Sequence, residues 1–378
     1  MELNEYKLPT IHIAMVAPSG AGKTSLLSTV YEYMKKYFNR DDSFLIKPCN
    51  QNDRQILNKF NQEVDNKLKA GSLKFQSGQK GTIESKLFEF ELSVEKNGQK
   101  VSQILSIMDI PGGWISDPDS HKDFVEHLKK SHFLWIPIEA PVLMTAKTGQ
   151  EKGLSSNKLQ TTYIQELVNQ WTTSWKMETE NNPSVSPANV CFILSKCETF
   201  FSQDKTGKEA AKCKERFDEN FKNIVQSIHD NYQFAQIHYV PVETIGPIKL
   251  IVSDWEQDSN QDWYLDTQYK ITNKDRKIAG AKYLMDGVLN FAAEQIKALL
   301  DGVKGDIEQE KEETNKVAHS RNPFKWFFYE ITGMADNAKG ELKKINEHLM
   351  QLEELLKKFE SLLPTITEKE DSEYFQNL

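Results

Sequence analysis

Cysteine is scarce. The 378 residues contain four, Cys49, Cys191, Cys197 and Cys213, with no CxxC pair and no histidines near them at zinc spacing. That argues against a disulfide scaffold or a zinc site and fits reduced thiols in a cytosolic protein. No run approaches the roughly 18 apolar residues that a membrane-spanning helix needs. Residues 1–9 are polar and lack the apolar stretch of a secretory signal. Basic charge also falls short. The 47 Lys and Arg against 55 Asp and Glu give a net charge of -8, whereas broad nucleic-acid binding requires a basic surface. The expectation is a cytoplasmic chain with no transmembrane segment and no nucleic-acid partner.

What is present is a patterned α/β sequence, long enough for one large domain plus an appendage or for two modest domains. Residues 11–17 form a short β-rich run that reads as a buried strand. A glycine-containing loop follows, and then Leu26, Leu27, Val30, Tyr31, Met34 and Phe38 recur at helical spacing. Residues 39–81 are polar, with one amphipathic helix marked by Ile56, Phe60, Val64 and Leu68. Two strands, Leu87 to Val94 and Val101 to Ile110, flank Asn97-Gly98, a strong hairpin signal.

Further on, strands near 133–138, 190–194 and 237–242 alternate with helices near 119–130, 156–177 and 208–232. Within 156–177, Leu159, Tyr163, Leu167, Trp171 and Trp175 define one face. Alternation of this kind implies a mainly parallel sheet covered on both faces. The expected fold is α/β in three layers, with one antiparallel strand and a C-terminal helical or coiled-coil extension. The expected domain spans 1–304, with insertions at about 39–81 and 247–275, the second read as irregular. Residues 305–378 form the extension. Its apolar positions Leu342, Ile345, Leu349, Leu352, Leu356, Phe359 and Leu363 alternate spacings of 4 and 3, a heptad seam.

The strongest chemical signal is Ala17-Pro-Ser-Gly-Ala-Gly-Lys-Thr24 between the first strand and the first helix. Such a loop wraps phosphates with backbone N–H groups, and the helix adds its positive end. Ser19, Gly20, Ala21, Gly22, Lys23, Thr24 and Ser25 would line the phosphates. Lys23 would reach the β- and γ-phosphates, and Thr24 would offer its hydroxyl to Mg²⁺. The strict pattern has glycine where Ala17 stands. The second signal is Asp109-Ile-Pro-Gly112 at the end of an apolar strand. A carboxylate there can hold Mg²⁺ through water, and the Gly112 N–H can sense a γ-phosphate.

With both motifs in place the chain resembles P-loop GTPases of the class that includes Ras-like proteins and translation factors. The run Asp109-Ile-Pro-Gly-Gly-Trp114 resembles bacterial GTPase-like domains of conflict and defence systems. The resemblance covers roughly residues 8 to 300. It implies that Thr82, ahead of the strand at Leu87, ligates Mg²⁺, with Ser85 a weaker rival. It implies that Ser195-Lys-Cys-Glu198 reads a guanine base. Lys196 would lie over the ring, and Glu198 would accept from N1 and N2. Glutamate is one methylene longer than the aspartate of that pattern. Thr244, in Val242-Glu-Thr-Ile-Gly246, would contact the base through a backbone amide, although the usual small pair is missing.

The same resemblance locates an absence. A glutamine that orients water follows the motif glycine in Ras-like members, and here that position is Gly113, followed by Trp114. No residue is assigned as catalytic, and slow turnover is expected. His121 is the nearest alternative, weighed against an ordinary exposed helix-start histidine. The expected function is a GTP/GDP-binding, Mg²⁺-dependent switch and slow hydrolase that relays its state to a protein partner. Residues 338–363 would pack on the chain's own helices or pair two copies. The aromatic run Phe324 to Tyr329 would fasten the extension to the core. Two alternatives stay open: an ATPase or kinase-type protein, and a scaffold that binds nucleotide without hydrolysing it.

Overall fold

The computed structural model describes residues 4–37, 44–70, 73–75, 85–96, 99–145, 148–181, 188–201, 204, 206–246, 248–257, 263–312 and 376–377. Thr82, the heptad seam at 338–363 and the aromatic run at 324–329 lie outside them.

Nine strands and helices build the first half. They are β1 (Asn4–Met15), α1 (Lys23–Tyr37), β2 (Phe44–Pro48), α2 (Gln51–Ala70), β3 (Leu73–Phe75), β4 (Lys86–Lys96), β5 (Gln99–Asp109), α3 (Lys122–Lys129) and β6 (Phe133–Glu139). Short 3-10 turns at Gly112–Ser116 and Pro118–Ser120 lead into α3. After them come α4 (Ala140–Thr145), α5 (Gly149–Leu159), α6 (Thr161–Asn181), β7 (Asn189–Ser195), α7 (Glu198–Phe201) and α8 (Lys208–Asn231). The chain closes with β8 (Gln236–Val242), β9 (Ile248–Gln257), β10 (Trp263–Ile271), α9 (Ala281–Glu312) and β11 (Gln376–Asn377).

The main sheet runs β2-β4-β5-β1-β6-β7-β8-β11. From β5 to β8 every neighbour is parallel. β4 is antiparallel to both β5 and β2, and β11 pairs antiparallel with β8 at Gln376↔Tyr239 and Asn377↔His238. Every residue of β6 and β7 is buried, because helices cover both faces. On one face Leu26, Leu27, Val30 and Met34 of α1 and Leu284, Val288 and Leu289 of α9 pack with Ile13, Phe133 and Ile193. On the other, Phe124 of α3, Trp171 of α6 and Phe217 and Phe221 of α8 pack with Ala14, Ile136 and Phe192. These three layers are the expected fold class. β1 sits where the strand order reverses, with β5 on one side and β6 on the other, so the loop after it opens into the crevice at the carboxyl ends of the strands.

Several local readings change. β4 and β5 pair antiparallel from Lys86↔Asp109 to Lys96↔Gln99; the turn expected at 97–98 lies outside the described residues. The stretch read as irregular contains β9 and β10, which pair with each other and with β3 in a second, three-stranded sheet. Its polar residues mark a half-covered hairpin: in β10 only Leu265, Thr267 and Tyr269 turn inward, a period of two. The single helix expected at 156–177 is two, because Gln160 adopts a left-handed conformation with φ 52° and ends α5. Within α6, Tyr163 is exposed while Leu167, Trp171 and Trp175 are buried. α2 also turns a partly polar face inward, burying Asp53 and Asn61 with Leu57, Val64 and Leu68. α9 continues through the composition change at residue 305.

Asp286 of α9 is 4% exposed, and neither carboxylate oxygen has a hydrogen-bond partner among the described residues. Burial pushes its pKa up to about 7, against the pull of Lys282. A raised carboxyl pKa penalises folding. The penalty sets in as pH rises through the unfolded value near 4 and is complete above about 7. Asp286→Ala is therefore expected to stabilise the fold by roughly 1–3 kcal/mol at pH 8 and by much less at pH 4.5. Thermal melting at the two pH values checks this; an unchanged or lowered midpoint at pH 8 contradicts it.

Candidate functional site

The loop between β1 and α1 is held in a shape that requires its glycines. Gly20 and Gly22 have φ of 85° and 90°, the left-handed region that side chains disfavour. α1 has no acidic residue in its own first turn, so the positive end of its dipole is not offset from within the helix. Lys23, 5% exposed, folds back and donates from Nζ to the carbonyls of Ala17 at 2.8 Å and Pro18 at 3.2 Å. Burial lowers its pKa, and the Asp109 carboxylate pulls it back up. Ser19 and Gly20 are exposed, and Gly22, Thr24 and Ser25 are half-buried. The loop thus presents backbone N–H groups, a hydroxyl and an ammonium at one helix end, the chemistry of a phosphate cradle.

Asp109, at the end of β5, meets this loop. Thr24 Oγ1 donates to Asp109 Oδ2 at 3.3 Å across 85 residues of sequence. Asp109 is 2% exposed, and its Oδ1 has no partner among the described residues. Burial raises its pKa to about 6, while Lys23 and the Thr24 hydroxyl lower it. A hydroxyl and a carboxylate with an unsatisfied oxygen, beside a phosphate cradle, fit Mg²⁺, which takes one or two protein oxygens together with phosphates and water.

Gly112 is wedged against the cradle. A Cβ built on it would lie 1.9 Å from the Ser19 nitrogen and 2.4 Å from the Pro18 carbonyl carbon. Gly113 next to it is open, with nothing within 4 Å of such a Cβ. The His121 ring stacks on Trp114, centroids 3.8 Å apart.

The third part lies at the ends of β7 and β8. Ser195 Oγ donates to the Ala21 carbonyl at 2.7 Å and the Ile138 carbonyl at 3.1 Å, tying β7 and β6 to the phosphate loop. Lys196 is left-handed, φ 57°, and donates from Nζ to Gly20 O at 3.2 Å and Glu139 Oε1 at 2.6 Å. Burial lowers the Lys196 pKa, but the Glu139 carboxylate outweighs it and the net shift is upward. Glu198 is fully buried, and burial raises its pKa to about 7. Its Oε1 accepts from Ile245 N at 2.8 Å, Thr244 N at 3.1 Å and Thr244 Oγ1 at 3.3 Å. Its Oε2 has no partner among the described residues.

Lys196, Glu198 and Thr244 therefore converge beside the loop that carries Lys23 and Thr24. The Thr244 amide expected to face a base is engaged by Glu198. Two residues outside every motif join the site. Arg276, between β10 and α9, donates from Nη2 at 3.0 Å and Nε at 3.3 Å to the Thr244 carbonyl, and from Nη1 at 2.7 Å to Asn61 Oδ1. An arginine in a polar stretch and an asparagine on a helix carry no sequence signal of such a role.

No family model matches this chain, and no curated protein matches it. Solved structures do. One is the signal recognition particle receptor SRb-GTP/SRX complex from Chaetomium thermophilum, similar over 62% of this chain and 93% of that one, at 14% identity and a TM-score of 0.33. Among the described residues no helix is long and apolar enough to cross a membrane.

Proposed function

We propose that this chain binds GTP and GDP with Mg²⁺, hydrolyses GTP slowly, and passes its nucleotide state to a protein partner. The observation that supports this most is the meeting of Thr24 and Asp109 at 3.3 Å beside Lys23, with Asp109 Oδ1 buried and unsatisfied. On binding, Lys23 Nζ exchanges the Ala17 and Pro18 carbonyls for phosphate oxygens, and the loop N–H groups wrap the β-phosphate. Thr24 and Asp109 would hold Mg²⁺, which neutralises charge developing on the phosphates. Gly112 carries the amide that faces a γ-phosphate, so its loop differs between triphosphate and diphosphate states.

The base is argued from Glu198. Burial raises the Glu198 pKa to about 7, and when ionised its carboxylate only accepts hydrogen bonds. Guanine offers two donors on one edge, N1–H and the 2-amino group, whereas adenine places an acceptor at N1. Oε2 is the oxygen left to receive guanine, and a base reaches it by displacing part of the cover over Glu198. Gly113 has no side chain and so supplies no amide to orient water, which leaves His121, stacked on Trp114, as the nearest candidate within the chain. Turnover then rests on His121 or another residue of the chain, on a partner, or on a second copy, which residues 338–363 could bring in if they pair two chains rather than pack on their own.

Titration of the full chain with GTP and ATP in Mg²⁺, followed by single-turnover phosphate release at low protein concentration, tests the reading. GTP is expected to bind at least tenfold more tightly than ATP, with release at about 10⁻³ s⁻¹ or slower. Equal affinities or an ATP preference overturn the guanine assignment in favour of an ATPase or kinase. Fast release overturns the dependence on a partner. Retained nucleotide with no release at any concentration favours the scaffold.

A further inference from the structure

The peptide unit joining Thr244 and Ile245 is gripped from both sides. Its N–H, that of Ile245, donates to Glu198 Oε1 at 2.8 Å. Its carbonyl, that of Thr244, accepts from Arg276 Nη2 at 3.0 Å and Nε at 3.3 Å, and from Thr29 Oγ1 at 3.4 Å. A trans peptide is planar, with N–H and C=O pointing in opposite directions. Fixing the carbonyl therefore fixes the direction of the N–H, and the N–H fixes Oε1.

Arg276 is itself held. Its Nη1 donates to Asn61 Oδ1 at 2.7 Å, and Asn61 is 4% exposed. Asn61 is tied to α1 in turn: its Oδ1 accepts from Ser28 Oγ, and its Nδ2 donates to Glu32 Oε1 at 2.8 Å. The chain of bonds thus runs from the helix behind the phosphate loop, through α2 and Arg276, across one peptide plane, to a buried carboxylate with one unpartnered oxygen.

On the guanine reading of Glu198 made above, we propose that Arg276 is the positioning residue that sets base selectivity. It holds the 244–245 peptide so that Oε1 is occupied and Oε2 is aimed at the donor edge of a 6-oxopurine. The residue touches no nucleotide. It also references the base reader to α1, so the distance between base and phosphate contacts is set by side chains outside both motifs. A guanidinium suits this role because three of its N–H groups lie in one rigid plane and serve two acceptors at once, which an ammonium cannot reproduce.

The test compares Kd values of GTP, ITP and ATP, in Mg²⁺, for wild type, Arg276→Met, Arg276→Lys and Asn61→Ala, with a melting curve for each. ITP lacks the 2-amino donor and reports on how Oε2 is aimed. In Arg276→Met the GTP-over-ATP ratio is expected to fall about tenfold or more, with the GTP-over-ITP ratio shrinking as well. Arg276→Lys recovers part of the ratio. Asn61→Ala lowers it less, and adds little when combined with Arg276→Met, because both act through one bond.

Equal losses for all three nucleotides would mark Arg276 as merely structural and overturn the proposal. So would an unchanged ratio in the variants that keep the wild-type melting midpoint. Should Arg276→Met not fold, Arg276→Lys and Asn61→Ala decide on the same criterion. A wild type with no guanine preference overturns the base reading and this proposal together, whereas a wild-type preference that survives in every variant overturns this proposal alone.

Discussion

Lys23→Ala is expected to lower nucleotide affinity at least about a hundredfold, two lost charge-assisted hydrogen bonds to phosphate being worth roughly 3–6 kcal/mol. The loss is compounded at Asp109. The ammonium of Lys23 is the first of the two influences that oppose burial there, so without it the Asp109 pKa rises further and the carboxyl is more readily protonated. A protonated Asp109 is a poorer partner for Mg²⁺. The variant should therefore lose Mg²⁺ sensitivity along with affinity. Calorimetric titration of GTP with and without Mg²⁺ measures both. The fold should survive, because removing a buried charge offsets the two carbonyls it leaves behind. Affinity within a few-fold of wild type would mean that the loop after β1 is not a phosphate site, and every functional statement made of this chain would fall with it.

Gly112→Ala should be nearly as damaging, through geometry alone. A methyl group 1.9 Å from the Ser19 nitrogen requires one backbone to retreat by more than 1 Å. The cradle is poorly placed to yield, since the carbonyls of Ala17 and Pro18 are bonded to Lys23. The Gly112 segment must move instead. Two consequences are expected: destabilisation of roughly 1–3 kcal/mol from overpacking, and, if the Gly112 amide faces the γ-phosphate as proposed, loss of any preference for GTP over GDP. Gly113→Ala is the internal control, since a Cβ there meets nothing within 4 Å. Denaturant midpoints and the ratio of GTP to GDP affinity separate the two variants. Equal behaviour of the alanines at 112 and 113 would rule out the wedge.

Much of this arrangement was legible because its signals are local. The strand into Met15, the turn of glycines and the apolar spacing of Leu26, Val30 and Met34 lie within about twenty residues, and each constrains the next. The strand ending at Asp109 was marked by the Asn97-Gly98 turn signal ahead of it, and it pairs antiparallel with β4. What stayed hidden depends on partners far along the chain. Asn61 reads as a polar helix position, yet Ser28 and Arg276 bring it inside. The stretch 247–275 reads as irregular because Asp, Gln and Asn are frequent along it, although Ile248, Leu250 and Val252 fall on alternate positions of β9 and Tyr269 lies opposite Leu250. The break at Gln160 has neither glycine nor proline to mark it. Glu198 is placed after β7 by its spacing, but its bond to the Ile245 amide, 47 residues away, is not disclosed by spacing.

The pairing of β11 with β8 has a bearing on how the chain is made. Strands β1 to β8 and their helices are complete well before the ribosome reaches Gln376, and domains assemble as their segments emerge. During that interval the outer edge of β8 at His238 and Tyr239, the positions that Asn377 and Gln376 later cover, is open, and an open sheet edge templates pairing with other chains. Once made, Gln376 and Asn377 of β11 cap that edge at Tyr239 and His238, so the exposure is confined to the interval before they emerge.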